Sequence, residues 1–293
     1  GFDYTYENDG GAIDRAFVAV YAQNSSLLQF SDEDRTSTDR TRLTTFDNDL
    51  LGAALQLESG FTTGAIEHRL IYGVDYSVLT QEGVRDGIGA PVGETFPTRP
   101  FPNSDYTLTG VFLTDEVSFA GGRFVLYPAL RYDGYDLDAQ ASDLDPPSLT
   151  IADQSDSEIT PRLGAVLWAT DHVGVFANYA QGFRAPSPSE VNQFFANPVQ
   201  GYVSLPNPDL APESSKSVEV GVRLRDVRFL GADFRASASA FQSHYEDFIE
   251  RAIVGGSFTP MDPAQYQLVN LGEVDIVGLE ARADFAWEGG WGF

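Results

Sequence analysis

Residues 159–213 read ITPRLGAVLWATDHVGVFANYAQGFRAPSPSEVNQFFANPVQGYVSLPNPDLAPE, and their side-chain pattern decides the fold class. The first part alternates between two sets, with Ile159, Pro161, Leu163, Ala165, Leu167 and Ala169 on one parity and Thr160, Arg162, Gly164, Val166 and Trp168 on the other. Successive side chains of a β-strand point to opposite faces. Alternation with one apolar set therefore indicates a strand whose two sides meet different surroundings.

A second strand and a long loop complete this unit. Thr170, Asp171 and His172 form a polar turn, and residues 173–179 lead back as the second strand. A loop rich in Pro and Asn follows and ends at residues 207–210. Pairs of strands with a short turn at one end and a long loop at the other recur along the chain. This is the sequence pattern of a transmembrane β-barrel.

The composition of the 293-residue chain narrows the class of protein. Hydrophobic residues make up 42%, and no apolar run approaches the roughly 18 residues of a membrane helix, so a membrane protein of this sequence must be a barrel. The absence of cysteine excludes a disulfide framework and a thiolate metal site. A net charge of −25 argues against nucleic acid as a partner, because phosphates require a basic surface.

Both ends of the sequence read like interior segments of a barrel. Residues 1–4 resemble the middle of a strand, and residues 287–293 resemble a turn and the first step of another strand. We therefore expect the sequence to be part of a longer chain, and its start does not have the pattern of a signal peptide.

Ten complete strands are predicted from alternation and from turns rich in Gly, Asn, Asp and Pro. They cover residues 14–30, 49–58, 65–80, 108–119, 123–135, 159–169, 173–179, 218–225, 233–240 and 277–284. Long loops are predicted at residues 31–45, 81–106, 137–156, 186–206 and 246–264. Short connections alternate with these long ones, as in an up-and-down barrel whose turns all lie on one side. The sequence predicts an all-β fold, an incomplete antiparallel transmembrane β-barrel with about ten full strands of a larger barrel.

Two sets of side chains are expected to meet different surroundings in this barrel. The set predicted to face lipid is Val218, Val220, Val222, Leu224, Val277, Leu279, Ala281 and Ala283. The set predicted to face the lumen is Arg223, Arg225, Glu280 and Arg282. Aromatic residues near strand ends suit interfacial girdles, namely Tyr72, Tyr76, Tyr127, Tyr132, Trp287 and Trp291.

Two motifs flank the long loop at residues 186–206: Gly182-Phe183-Arg184-Ala185-Pro186 and Pro206-Asn207-Pro208-Asp209-Leu210-Ala211-Pro212-Glu213. With them the chain resembles the barrel half of TonB-dependent outer-membrane receptors, most closely the heme and hemoglobin receptors. In that group an FRAP box and an NPNL-like box flank one extracellular loop. Further short stretches agree in order and spacing at residues 68–75, 112–116, 130–133, 159–163, 220–223, 247–249 and 277–280. The resemblance covers residues 1–293 as part of one barrel domain, without the family's plug domain and TonB box.

The resemblance implies a receptor in the outer membrane of a Gram-negative bacterium that transports heme or another iron-bearing ligand. Its partners would be the TonB energy-transducing system, outer-membrane lipid, and heme, a hemoprotein or a siderophore. Heme would be a transported ligand rather than an intrinsic cofactor. The candidate ligand-binding residues are Phe183, Arg184, Ala185, Pro186, Tyr202, Asn207, Pro208, Asp209 and Leu210.

The expected iron ligand of this group is missing. Heme receptors of this kind usually carry a histidine between the two boxes, and residues 186–206 contain none. Tyr202 is the loop residue that can serve as an anionic iron ligand, and His244 on a neighbouring strand is the second candidate. Arg184 can bind an anionic group such as a propionate, or it can pair with a carboxylate of the lumen.

Other functions stay open at this point. A receptor for a siderophore or another bulky nutrient would share these features, a passive porin would share the barrel, and a soluble β-rich binding module would share the alternation. No spacing supports a Ser/His/Asp set, a phosphate loop or paired carboxylates, so the sequence does not predict an enzyme. The acidic stretches at residues 31–34 and 143–158 match no defined metal loop, and we interpret them as solvated loops.

Overall fold

The computed structural model describes residues 1–8, 11–36, 38–90, 95–146, 149–197 and 200–287. Across these ranges it contains thirteen strands and one short helix. The strands are β1 (Phe2–Glu7), β2 (Arg15–Glu33), β3 (Arg40–Thr63), β4 (Ile66–Ile88), β5 (Asn103–Phe119), β6 (Phe124–Gln140), β7 (Gln154–Trp168), β8 (Val173–Arg184), β9 (Phe195–Asn197), β10 (Tyr202–Leu205), β11 (Glu213–Phe229), β12 (Ala232–Gly255) and β13 (Ala264–Trp287), and the helix is α1 (Pro188–Asn192). None of the helical residues in these ranges forms a segment long and apolar enough to cross a membrane.

All thirteen of these strands belong to one sheet. Its order is β1-β2-β3-β4-β5-β6-β7-β8-β11-β12-β13-β10-β9, so the long strands follow one another as in an up-and-down arrangement. β1 and β9 form the two edges, and the sheet is open between them. The prediction of an all-β, incomplete up-and-down barrel with ten long strands is confirmed.

The connections at the two ends of the strands differ in length. At one end, which we call the turn end, the connections include residues 64–65, 120–123, 169–172 and 230–231. At the other end, the loop end, they are residues 34–39, 89–102, 141–153, 185–212 and 256–263. The tightest turns use backbone conformations that glycine adopts most readily, with φ of 65° at Gly64 and 75° at Gly231.

The strands extend further toward the loop end than the sequence predicts. β3 begins at Arg40 rather than near residue 49, and its pairing with β2 continues to Glu33. The predicted loops 31–45, 81–106, 137–156 and 246–264 are all shortened in this way. In these extensions both faces of the strand carry polar side chains, so the alternation that marks a strand in the sequence is lost. The backbone hydrogen bonds between the strands nevertheless continue.

The connection at residues 185–212, which we call the 185–212 loop, is folded rather than irregular. It contains α1 and the antiparallel pair of β9 and β10. β10 runs parallel to β13, with Tyr202 opposite Ala264 and Leu205 opposite Gln267. This pair departs from the strictly antiparallel arrangement that was predicted. A parallel neighbour requires a long connection, and the chain through β11 and β12 supplies it.

Two predicted features fall outside the described ranges. The stretch Asn8-Asp9-Gly10-Gly11 predicts a turn, and its residues Asp9 and Gly10 lie outside these ranges. The last segment, 288–293, includes the proposed girdle residue Trp291.

The two faces of the sheet carry different side chains. On one, here called the apolar face, Val218, Val220 and Val222 are each about half exposed. The register sets Val220 beside Ala240, and Ala240 beside Leu279, which is 85% exposed. On the opposite face, here called the polar face, lie charged residues that include Arg131, Glu219, Arg223 and Glu280. The two sets predicted from alternation therefore lie on opposite faces.

Aromatic rings of the polar face lie over glycines of neighbouring strands. Phe176 of β8 is opposite Gly221 of β11, and a Cβ atom at Gly221 would come within 2.5 Å of Phe176 Cζ and 2.6 Å of Ala238 O. The guanidinium of Arg223 lies 4.5 Å from the centre of the Phe176 ring. Glycine at position 221 therefore makes room for a stacked aromatic and cation pair.

Replacing Gly221 with Leu is expected to destabilise the sheet, because the new side chain must displace Phe176 from the polar face. Overpacking of this kind costs about 1–3 kcal/mol. Gly272 of β13 supplies the control, since a Cβ atom there meets nothing within 4 Å. Urea unfolding of the purified protein should show a lower midpoint for Gly221→Leu than for Gly272→Leu. Equal midpoints would contradict this account of the packing.

Candidate ligand-binding site

The two ends of the 185–212 loop are held together by one arginine. Arg184 is opposite Glu213 in the register of β8 and β11. Its Nε and Nη2 atoms donate to the Glu213 carboxylate at 2.7 and 2.8 Å, and its Nη1 atom donates to Glu190 Oε2 at 3.0 Å. We call this group of Arg184, Glu190 and Glu213 the Arg184 clamp. It joins the last residue of β8 to the first residue of β11 and to α1.

Glu190 ties α1 into the clamp. Its carboxylate accepts hydrogen bonds from the backbone N–H of Ser187 at 2.7 Å and from the Ser187 hydroxyl at 3.0 Å. Burial acts to raise the pKa of Glu190, but the hydrogen bonds from Arg184 and Ser187 outweigh it, so the pKa lies below its ordinary value. The stabilising contribution of the charged form is therefore present above the ordinary carboxyl pKa and is lost as the pH falls through the lowered one.

The other residues of the first box pack inward. Phe183 and Ala185 lie against a small cluster of buried side chains, Tyr106, Tyr135, Leu137 and Val191. Pro186 is fully buried, and its carbonyl accepts a hydrogen bond from the Tyr106 hydroxyl at 3.1 Å. This box therefore fixes the direction in which the chain enters the loop, and a contact of these residues with a ligand stays a prediction.

The second box is held by side-chain amides. Asn207 Nδ2 donates to Leu268 O at 2.8 Å, and Gln154 Nε2 donates to Pro208 O at 2.7 Å and to Leu210 O at 3.1 Å. The Leu210 side chain is only 2% exposed, so it anchors the loop from within.

Asp209 has a different position in this box. Its N–H donates to Asn207 Oδ1 at 3.2 Å, and the residue is exposed. Within the described ranges its carboxylate makes no hydrogen bond or ion pair, and its contact with a ligand stays a prediction.

Sequence reasoning missed two further amides that pin the loop. Asn192 at the end of α1 donates to Ala152 O at 2.8 Å and accepts from Ala152 N at 2.9 Å. Asn270 of β13 does the same with Ala211, at 2.9 and 2.8 Å. Isolated amides in polar segments follow no period, so no sequence signal distinguishes them from solvated residues.

Tyr202 lies at the start of β10, where strand pairing fixes its backbone. Its ring centre lies 5.8 Å from that of Phe195 and 6.2 Å from that of Tyr266. Its hydroxyl makes no hydrogen bond with any residue that the structure describes. The ring is held in position by these neighbours, and a contact of the phenol oxygen with a ligand stays a prediction.

His244 is on the face opposite to the one expected of a lumen ligand. In β12 it is opposite Lys216 and Asp275, and its Nδ1 atom lies 3.0 Å from Asp275 Oδ1. Even-numbered residues of β12 such as Ala240 share the apolar face, because successive side chains of a strand alternate. The structure does not bring His244 to the polar face.

A cavity of about 440 Å³, here called the chamber, lies on the polar face beside the first residues of the loop. Its wall includes Tyr106, Arg131, Tyr135, Thr160, Arg162 and Phe183. Asp75 and Asp133, which also line it, both accept hydrogen bonds from Arg131, at 3.1 and 2.7 Å. The volume lies in the usual range for small-molecule sites, about 300–1,000 Å³.

Metal binding by a preformed side-chain cluster finds no support in the described ranges. No group of three or more His, Asp or Glu side chains there could hold a metal ion.

Replacing Arg184 with Gln is expected to loosen the 185–212 loop, because two partly buried carboxylates lose their cation. Arg235 on the polar face of β12 supplies the control, since it lies outside the clamp and the chamber. Hydrogen exchange followed by mass spectrometry should show faster exchange in the loop for Arg184→Gln and unchanged exchange for Arg235→Gln. Unchanged exchange in both variants would show that the Arg184 clamp does not order the loop.

The comparison with known proteins agrees with the fold. The family described as TonB dependent receptor-like, beta-barrel, matches residues 1–293. Heme/hemopexin utilization protein C of Haemophilus influenzae is 25% identical over 244 residues, which cover 74% of this chain and 31% of that protein. The chain thus spans about a third of the length of this curated relative.

Two solved structures have the same fold. The Serratia marcescens hemophore receptor HasR, a double mutant in complex with its hemophore HasA and heme, aligns with a TM-score of 0.67 and 19% identity over 92% of this chain and 47% of that one. BauA, the ferric preacinetobactin receptor of Acinetobacter baumannii, aligns with a TM-score of 0.63 and 19% identity over 97% of this chain and 41% of that one. Because the family match covers the whole sequence, the chain belongs to the TonB-dependent receptor-like β-barrel family.

Proposed function

We propose that the chain is part of an outer-membrane receptor that takes up heme or another iron-bearing ligand through its loop end. The observation that carries this proposal is the 185–212 loop, which the Arg184 clamp closes at its base beside a chamber of about 440 Å³. Binding residues are commonly found on loops that a rigid scaffold positions. The similarity to a heme/hemopexin utilization protein supports heme as the ligand.

In this proposal residues 1–293 are part of one barrel domain of a longer receptor in a Gram-negative bacterium. The apolar face contacts outer-membrane lipid, the polar face lines the lumen, and the loop end lies outside the cell. Other segments of the receptor supply the plug and the contact with the TonB system. The net charge of −25 makes nucleic acid an unsuitable partner. Uptake of this kind requires no catalytic residue and no intrinsic cofactor.

Lipid contact of the apolar face can be tested at Val222. An arginine there should cost about 2–4 kcal/mol if the site is near the bilayer midplane. Ser239, which is opposite Gly221 and Glu280 on the polar face, supplies the control. Reversible folding of the full-length receptor into lipid vesicles should be weakened by Val222→Arg much more than by Ser239→Arg. The opposite order would contradict the proposed orientation of the sheet.

Tyr202 is the proposed iron ligand. Its phenol oxygen has no partner in the described ranges, and tyrosinate is an established type of heme ligand. Its ring packs beside Phe195 and Tyr266, which offer further flat surface to a porphyrin. His244 is the weaker candidate, because it lies on the apolar face and its ring is bound to Asp275.

Heme titration of the full-length receptor tests the ligand and the iron contact together. The wild type should bind heme with the high-spin ferric spectrum of a tyrosinate complex. Tyr202→Phe keeps the ring and should lose this spectrum, whereas Tyr266→Phe and His244→Ala should retain it. An unchanged spectrum in Tyr202→Phe would remove Tyr202 from the site. Failure of the wild type to bind heme would contradict heme as the ligand.

A siderophore or another bulky nutrient is the second candidate ligand. The absence of histidine from residues 186–206 favours it, because a ligand that already saturates its iron needs no axial residue from the protein. The same loop and chamber would then contact the organic part of the ligand. This candidate would be favoured if the full-length receptor binds a ferric siderophore and does not bind heme. A passive porin and a soluble binding module are weaker candidates, because neither requires a folded loop of this kind.

A further inference from the structure

The cations nearest to the loop base are already neutralised. Arg184 binds two carboxylates, Glu190 and Glu213, at 2.7–3.2 Å. Arg131 binds two others, Asp75 and Asp133. A ligand carboxylate that approached either arginine would have to displace a protein carboxylate already bound there. Neither side chain is therefore a ready anion site, and of the two roles that the sequence left open for Arg184 the structure shows pairing with carboxylates.

Arg162 differs from both of these arginines. It lines the chamber, and the residue is exposed. No carboxylate of the described ranges lies within 4.0 Å of its guanidinium, and no side-chain hydrogen bond involves it. Its two neighbours in the register are Ala129 of β6 and Ala180 of β8. Because alanine is short, neither of the directly opposite side chains can cover the Arg162 guanidinium.

The surroundings of Arg162 suit a ligand that is partly apolar and partly anionic. The chamber wall carries the rings of Tyr106, Tyr135 and Phe183, with centre-to-centre distances of 6.1 and 6.3 Å between successive rings. Thr160, two residues from Arg162 on the same face, also lines the chamber. Tyr106 and Tyr135 are 8% and 6% exposed, so a flat conjugated body would lie mainly against the partly buried ring of Phe183 while its acid group reaches the guanidinium.

Other acidic groups near the chamber do not occupy this guanidinium. Asp75 and Asp133 are turned to Arg131. Glu158 is opposite Asp133 and Asp156 is opposite Tyr135 in the pairing of β6 with β7, on the loop-end side of Thr160. These carboxylates would repel an anion toward the turn-end side of the chamber, which is where Arg162 lies.

We propose that Arg162 binds a carboxylate of the ligand that enters the chamber, through the planar paired N–H groups of its guanidinium. This inference rests on the proposed function, because it concerns the same loop and chamber. It adds that the ligand carries at least one free carboxylate, and it transfers the anion-binding role from Arg184 to Arg162. Charge-assisted pairs of this geometry are among the stronger hydrogen-bonded contacts in proteins.

The test compares heme with its dimethyl ester, in which both carboxylates are blocked, on the full-length receptor in detergent. The wild type should bind the diacid about tenfold more tightly than the ester, as expected for one charge-assisted contact. Arg162→Gln should bind both forms with the affinity that the wild type shows for the ester. Arg235→Gln, which removes an arginine of the polar face outside the chamber, should keep the wild-type preference.

The ratio of the affinities for the diacid and the ester distinguishes a ligand contact of Arg162 from a structural role. If Arg162→Gln lowers the affinity for both forms equally, Arg162 supports the fold or another part of the receptor, and the proposal is wrong. Equal binding of diacid and ester by the wild type would also overturn it, without any variant, and would leave the proposed uptake of heme intact. A wild type that binds neither form would instead contradict heme as the ligand of the proposed function.

Discussion

Backbone pairing within one open sheet is the constraint on which the rest of this structure depends. The register of each strand with its neighbour decides which side chains share a face, as at Val220, Ala240 and Leu279. A slip of one residue would carry the apolar row to the polar face and charged residues to the apolar one. Three features depend on this register: the packing of Phe176 on Gly221, the chamber and the Arg184 clamp.

The existence and the facing of the long strands could be predicted from sequence, because alternation is local and repeats in each strand. The strand ends could not, since alternation stops where both faces meet polar surroundings, as in β3 from Arg40 to about residue 48. The parallel pairing of β10 with β13 was also beyond sequence reasoning. It depends on contacts such as Tyr202 with Ala264, which lie far apart in the chain.

The candidate site was located from its two boxes, but the roles of its residues depend on partners that no motif reveals. Sequence left two roles open for Arg184, and the structure pairs it with Glu190 and Glu213. Arg184 and its two carboxylate partners therefore hold the base of the loop in position. Arg162 was visible only as one member of an alternating strand, because the absence of a partner for its guanidinium is a property of the folded chain.

The parallel pair of β10 and β13 also governs how the sheet can grow. An exposed strand edge is a template on which any other strand can be added. Residues 265–267 of β13 have β12 on one side and β10 on the other, so their hydrogen-bonding groups are already engaged on both sides. Residues 268–287 have only β12 in the described pairing. A further strand can therefore pair with β13 along residues 268–287. It must end before the loop end, where β10 of the 185–212 loop already pairs with β13.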